Sequence, residues 1–173
     1  MMEKALSHTE GLLIVVDESA GSKRAVDYVA RMIGRRRGFH VHLLHLLPPL
    51  PPELMEFGGS EDPLKEELLQ AELHRDQQTW IASRRDSAKP ALDEAIRSLH
   101  EAGLARRQID CECPGPMDDR DISSAVLSQA RAKRCRTIVI GHESHSWFHE
   151  LAGGNLCEHL FRISSVFTLW VVQ

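Results

Sequence analysis

Residues 12–34 read "LLIVVDESAGSKRAVDYVARMIG". The run opens with five apolar residues and closes on a carboxylate, Asp17, the pattern of a central strand buried on both faces rather than one that alternates between core and water. Ser19 and Gly21 follow at once. Ala25, Val26, Val29, Ala30 and Ile33 then recur at helical spacing, and Gly34 stands where a helix can end. A buried strand that feeds straight into a helix is a βα unit, and a chain made of such units builds a parallel sheet.

The same alternation continues outward from this stretch. "FHVHLLHLL" (39–47) reads as a second strand, and the "PPLPP" behind it can continue neither a helix nor a ladder. From Pro48 to Asp62 runs a connection of about fifteen residues, long for a compact domain. From Pro63 the pattern is helical. Leu64, Leu68, Leu69, Leu73, Trp80 and Ile81 mark one face, and Leu92, Ala95, Ile96 and Leu99 mark another up to Gly103. Pro90 lies between the two sets and predicts a kink or break near Lys89, because proline removes a backbone bond and crowds the preceding turn. Part of the first segment is expected to project from the body or to pack on a partner subunit.

"RQIDCEC" (107–113) supplies a third strand and "DDRDISSAVLSQARAK" (118–133) a helix with Ile122, Ala125, Val126 and Ala130 inward. "CRTIVIG" (135–141) is a fourth strand, "LCEHLFRI" (156–163) a helix and "VFTLWVV" (166–172) a last strand. The expected fold is α/β, a mostly parallel sheet with helices on both faces and right-handed crossovers. Such sheets bind ligands beyond the carboxyl ends of the strands, where the strand order reverses. That edge carries Asp17, Leu46, Gly115 and Gly141.

With 173 residues, 42% of them hydrophobic, the chain has material for one ordinary core. A formal net charge of −4 and a pI near 6.2 give no global reason to expect nucleic acid or an anionic membrane as partner. No run reaches the roughly 20 apolar residues of a membrane span, and "MMEKALSHTEG" lacks the apolar centre of a signal peptide. The expected address is cytoplasmic. Cys111 and Cys113 would share one strand face, but Cys135 and Cys157 add no second pair at zinc-ligand spacing, so all four read as reduced thiols.

Neither Gly-x4-Gly-Lys-Ser/Thr nor a Gly-x-Gly-x-x-Gly after the first strand is present, which removes the common nucleoside-triphosphatase loop and the dinucleotide fingerprint. A different phosphate geometry remains in "IVIGHESHSWFHELAGGN" (138–155). Gly141 ends the fourth strand, while Gly153, Gly154 and Asn155 open the last helix, whose free amides and positive dipole end favour an anion. Ser144 and Asn155 can add side-chain hydrogen bonds.

The first βα unit, the strand "VHLLHLL" and the closing "TIVIGHESHSWFHELAGGNLCEHLFRISSVFTLWVV" together resemble the universal stress proteins, over the chain apart from about 48–89, which would be a long insert within a single domain. The resemblance implies a five-stranded parallel sheet in the order 3-2-1-4-5, Rossmann-like and of the adenine nucleotide alpha hydrolase type, and a homodimer formed through the last strand, Phe167 to Val172. It also implies an ATP site, with Mg²⁺. Nucleotide-binding members carry Gly-x2-Gly-x9-Gly-Ser/Thr after the fourth strand, where this chain has Gly141-x2-Ser144-x9-Gly154-Asn155. By the same resemblance Asp17 receives the adenosine end, Leu46 lines the adenine slot through its backbone and Gly115 approaches the ribose. Two of the four loop positions depart from the pattern. A serine in place of the middle glycine costs on the order of 1 kcal/mol if a positive φ is needed there. Asn155 keeps a donor and caps a helix well. Glu143 and Glu150 add negative charge near the phosphates, with only histidines to answer it.

Other features have plainer readings. His142, His145 and His149 are spaced for one helix face and a metal, but a polar loop accounts for them as well. His45 reads as a hydrogen-bonded core histidine, and Arg35 to Arg37 as a solvated helix end. Asp17 is open between ligand carboxylate and helix cap, and Trp170 between face packing and dimer contact. No nucleophile with an adjacent base can be assembled, so at most slow ATP hydrolysis is expected. Two functions stand: a stress-response protein that binds ATP or a related adenine nucleotide, and a dimeric interaction module that binds none.

Overall fold

The computed structural model describes residues 9–55, 61–117, 122–142, 156–163 and 166–173. Its five strands are β1 (Glu10–Val15), β2 (Phe39–Leu44), β3 (Ile109–Glu112), β4 (Thr137–Gly141) and β5 (Thr168–Val172). They form one sheet in the order β3-β2-β1-β4-β5, and every pairing is parallel. The helices are α1 (Ala20–Ile33), α2 (Pro63–Glu101), α3 (Ile122–Ala132) and α4 (Leu156–Ile163).

The two faces of the sheet divide the core as strand alternation requires. Leu12, Ile14 and Val16 of the β1 segment join Val41, Leu43 and Val139 in one cluster, covered by Ala25, Val29 and Ile33 of α1 and by Leu92, Ala95 and Leu99 of α2. Leu13 and Val15 join Leu44, Ile138 and Ile140 in the other, under Ile122, Val126 and Ala130 of α3 and Leu160 of α4. β1 is therefore apolar at every buried position because both of its faces are covered, as its unbroken run predicts. Trp170 packs inward against Tyr28, edge to face with ring centroids 5.9 Å apart, so within the chain its contact is face packing.

Local signals set the helix ends. Ser19 is the N-cap of α1 and accepts from the Ser22 amide, while the Gly34 amide donates to the Ala30 carbonyl at the other end. Asp62 caps α2 by accepting from the Leu64 amide, with Pro63 at the first helical position, where its missing N–H costs nothing. Of the kink or break expected near Lys89, the break is absent: α2 is one continuous helix of 39 residues with Pro90 inside it. The carbonyl that Pro90 deprives of a partner belongs to Asp86, and both residues are exposed, so water can satisfy it. Just behind, Ala88, Leu92, Ala95 and Leu99 are buried against the sheet and hold the helix on its course. These are the buried residues of α2. Its outer half, residues 63–87, lies outside the core, with Leu64 and Leu68 at 74% and 67% exposure.

Candidate functional site

β1 lies between β2 and β4, so the strand order reverses at its carboxyl end, and there the chain places Asp17. Asp17 is buried and its carboxylate is tied into the start of α1. Its Oδ1 accepts from the Ser19 amide at 3.0 Å and from the Ser19 hydroxyl at 2.5 Å. Ser19 Oγ accepts in turn from the Ser22 amide at 3.1 Å, and Ser22 Oγ accepts from the Asp17 amide at 3.0 Å. The cap of α1 is thus Ser19, and Asp17 is the residue that orients it. Burial pushes the Asp17 carboxyl above its ordinary range, against the two hydrogen bonds from Ser19, which pull it down. These bonds engage one oxygen and leave Oδ2 as the other. His45 is buried beside it, one residue beyond β2; its Nδ1 donates to the Val16 carbonyl at 2.9 Å, which makes it the core histidine that its sequence position suggests.

The other three described positions of the strand edge differ from one another. Leu46 is buried, and its neighbours tie this segment to the extension of β3: the His45 amide donates to Glu112 at 2.9 Å and the Leu47 carbonyl accepts from Met117 at 3.4 Å. Gly115 lies in that extension, and a Cβ built on it would meet nothing within 4 Å. Gly141 ends β4 against the first turn of α1. A Cβ there would stand 2.0 Å from the Gly21 carbonyl oxygen and 2.6 Å from the Ser22 nitrogen. Close approach of α1 to β4 therefore requires glycine at 141 whatever binds nearby.

Beyond Gly141 the chain is anchored on two sides. The His142 amide donates to the Val172 carbonyl at 2.7 Å, and Arg24 Nη2 donates to the His142 carbonyl at 3.1 Å. His142 follows β4 outside any helix, so it does not sit on a helical face. Ser144, Gly153, Gly154 and Asn155, together with Glu143, Glu150, His145 and His149, lie outside the described residues. α4 begins at Leu156, the position that a glycine-opened helix predicts. Arg24 is a contributor with no signal in the sequence, since its proximity to residue 142 comes from the packing of α1 on β4.

On the other side of Asp17 a cleft of about 400 Å³ runs between α1 and α2. Asp17, Glu18, Asp27, Glu94 and Glu101 line it against Lys23 and Arg97, and Lys23 is already paired with Glu94. Five carboxylates facing two cations repel phosphate, so an anionic ligand is directed to the β4 side of Asp17. Among the described residues three cysteines are free thiols, and burial raises those of Cys111 and Cys113 and pushes Cys135 up to about 11.

The model of the universal stress protein family matches residues 9–173. No curated protein matches the chain. Among solved structures, one from the universal stress protein family of Burkholderia pseudomallei superposes with a TM-score of 0.59 at 14% identity, covering 96% of this chain and 97% of its own. A universal stress protein from Archaeoglobus fulgidus in complex with dAMP gives 0.56 at 16% identity, covering 96% and 99%. A universal stress protein in complex with cAMP gives 0.56 at 15%, covering 95% and 96%. At these identities the structures speak for the fold, and the family match, running from the residue before β1 to the end of the chain, establishes descent: this chain belongs to the universal stress protein family.

Proposed function

We propose that this chain is a cytoplasmic stress-response protein that binds ATP or a related adenine nucleotide, with Mg²⁺, beyond the carboxyl ends of β1, β2 and β4. The observation that carries the reading is Asp17, a buried carboxylate at the reversal of strand order that engages Ser19 through one of its oxygens, Oδ1. In this reading Asp17 receives the adenosine end, the Leu46 backbone lines the base slot and Gly115 lets the ribose approach over its open side. Gly141, Ser144, Gly154 and Asn155 form the phosphate loop. Arg24, beside the loop's first residue, adds a positive charge that partly answers Glu143 and Glu150. Two relatives of the same fold whose structures contain cAMP and dAMP favour an adenine ligand. Binding is the activity proposed, with at most slow ATP hydrolysis, since the sequence offers no nucleophile with an adjacent base.

The dimer belongs to the same proposal. Among the described residues β5 pairs with β4 alone and is an apolar edge strand, with Val171 at 42% exposure, and a second copy aligned along it would cover the open edge. A second reading, an interaction module without nucleotide, is favoured by the exposed Leu64 and Leu68 on the outer half of α2. One pair of variants separates the two. Gly154→Asp puts a carboxylate into the loop and is expected to abolish calorimetric binding of ATP while sparing partner capture. Leu64→Glu with Leu68→Glu is expected to do the reverse. Unchanged nucleotide binding in Gly154→Asp would remove the loop from the account.

A further inference from the structure

A cluster outside the proposed nucleotide site lies within β2 and β3, on the strands themselves and not past their carboxyl ends. Alternation along β2 sends Val41 and Leu43 to the α1/α2 face and puts His40, His42 and Leu44 on the other. On β3, Asp110 stands in register with His42. β3 is a four-residue edge strand, so two imidazoles and a carboxylate meet at a corner of the sheet where an apolar residue would be the ordinary choice. His40 Nε2 is 2.9 Å from Asp110 Oδ2, and His42 Nδ1 is 3.5 Å from the same oxygen. The three ligating atoms all lie within 4.8 Å of one another, and the rings lean together with centroids 4.7 Å apart.

Hydrogen bonding within the chain does not complete this cluster. His42 Nδ1 is buried and has no hydrogen-bond partner, although the Asp110 carboxylate is close by. A buried ring nitrogen left in this way is the exception in folded proteins, and a cation that accepts its lone pair resolves it. Burial and the neighbouring His40 hold the His42 imidazole below its ordinary pKa, against Asp110 and Glu112, which raise it, and with Lys133, which lowers it further. Lys133 is already engaged with Glu112, so the charge left facing the imidazoles is that of Asp110.

We propose that His40, His42 and Asp110 bind a divalent transition-metal ion of the zinc class. Donor atoms of a tetrahedral zinc site stand about 3.4 Å apart when metal–ligand distances are ~2.1 Å; the separations of Asp110 Oδ2 from the two ring nitrogens, 2.9 and 3.5 Å, fall on either side of that value, and the two nitrogens lie within 4.8 Å of each other. Two imidazoles and one carboxylate with no thiolate suit Zn²⁺, Ni²⁺ or Cu²⁺ over Mg²⁺ or Ca²⁺. Three protein ligands leave a fourth position for water or for a group from another molecule. The inference is independent of the nucleotide reading, whose residues lie at or past the carboxyl ends of the strands.

The test is a calorimetric titration of Zn²⁺ into the full chain at pH 7.5, without nucleotide, beside thermal unfolding with and without the ion. One equivalent binding with Kd below ~10 µM is expected, together with a Zn²⁺-dependent rise in Tm. Because the chain has ten histidines, variants decide where the ion sits. His42→Ala should weaken binding at least about 10-fold, and Asp110→Asn, at an exposed position that can change without loss of the fold, should do the same and remove the rise in Tm. Absence of an equivalent at that affinity overturns the proposal. So does equal affinity in the parent and Asp110→Asn, or loss of the equivalent in a His145→Ala/His149→Ala chain.

Discussion

Gly141 ends β4 and Gly115 lies in the extension of β3, both at the carboxyl edge of the same sheet and both assigned to the nucleotide in the proposal, yet they are glycine for different reasons. Gly141 has the backbone of α1 pressed against it, with the Gly21 carbonyl 2.0 Å from where a Cβ would be. Gly115 has open space there. One residue is required by the packing of the chain on itself, whereas the other has no neighbour among the described residues that demands it. A glycine in a ligand motif is therefore evidence for a ligand only after its own surroundings have been asked to account for it.

Three substitutions press on this contrast, in descending order of effect. Gly141→Ala should be the most damaging, because relieving contact with backbone atoms means moving α1 away from β4. A loss on the order of 3 kcal/mol or more is expected in denaturant unfolding, and any loss of nucleotide binding should follow from it. A near-normal midpoint would show that α1 can shift freely. Asp17→Asn is expected to separate stability from binding. Above the raised Asp17 pKa the parent carries a buried charge that is costly to desolvate, and below ~4 both folded and unfolded states are protonated, so the cost vanishes. The variant should therefore be as stable as the parent or more so at pH 7, with the difference shrinking as pH falls toward 4, while nucleotide binding weakens. Lower stability at pH 7 would mean that Asp17 serves the α1 cap before any ligand. Gly115→Ala should have the smallest effect on the fold, within about 0.5 kcal/mol, since its Cβ enters open space, and should act on nucleotide affinity alone.

Much of the architecture could be read from residues 12–34 and the strands that repeat their pattern, because burial on both faces imposes an unbroken apolar run and βα alternation imposes a parallel sheet. At Pro90 local chemistry argued for a kink or a break, and the tertiary setting removes the break: Asp86, whose carbonyl loses its partner, is exposed to water, and Leu92, Ala95 and Leu99 hold the helix on the sheet. Asp17 was legible because it closes a strand. Its bond to Ser19 was not, since Asp17 and a helix cap are the same letters in either role. Arg24 and the His40–His42–Asp110 cluster were invisible for a different reason. Their partners lie 118 and 70 residues away along the chain, and only the register of β2 with β3 and the packing of α1 on β4 bring them together.

The most direct test of the central claim is a calorimetric titration of ATP with Mg²⁺ into the purified chain, run beside Gly115→Val. Saturable binding at one site per chain, weakened at least about tenfold in Gly115→Val while both proteins unfold at the same temperature, is the predicted result. No heat of binding in the parent, or equal affinity in the two proteins, would contradict it and leave the exposed leucines of α2 as the surface through which this family member acts.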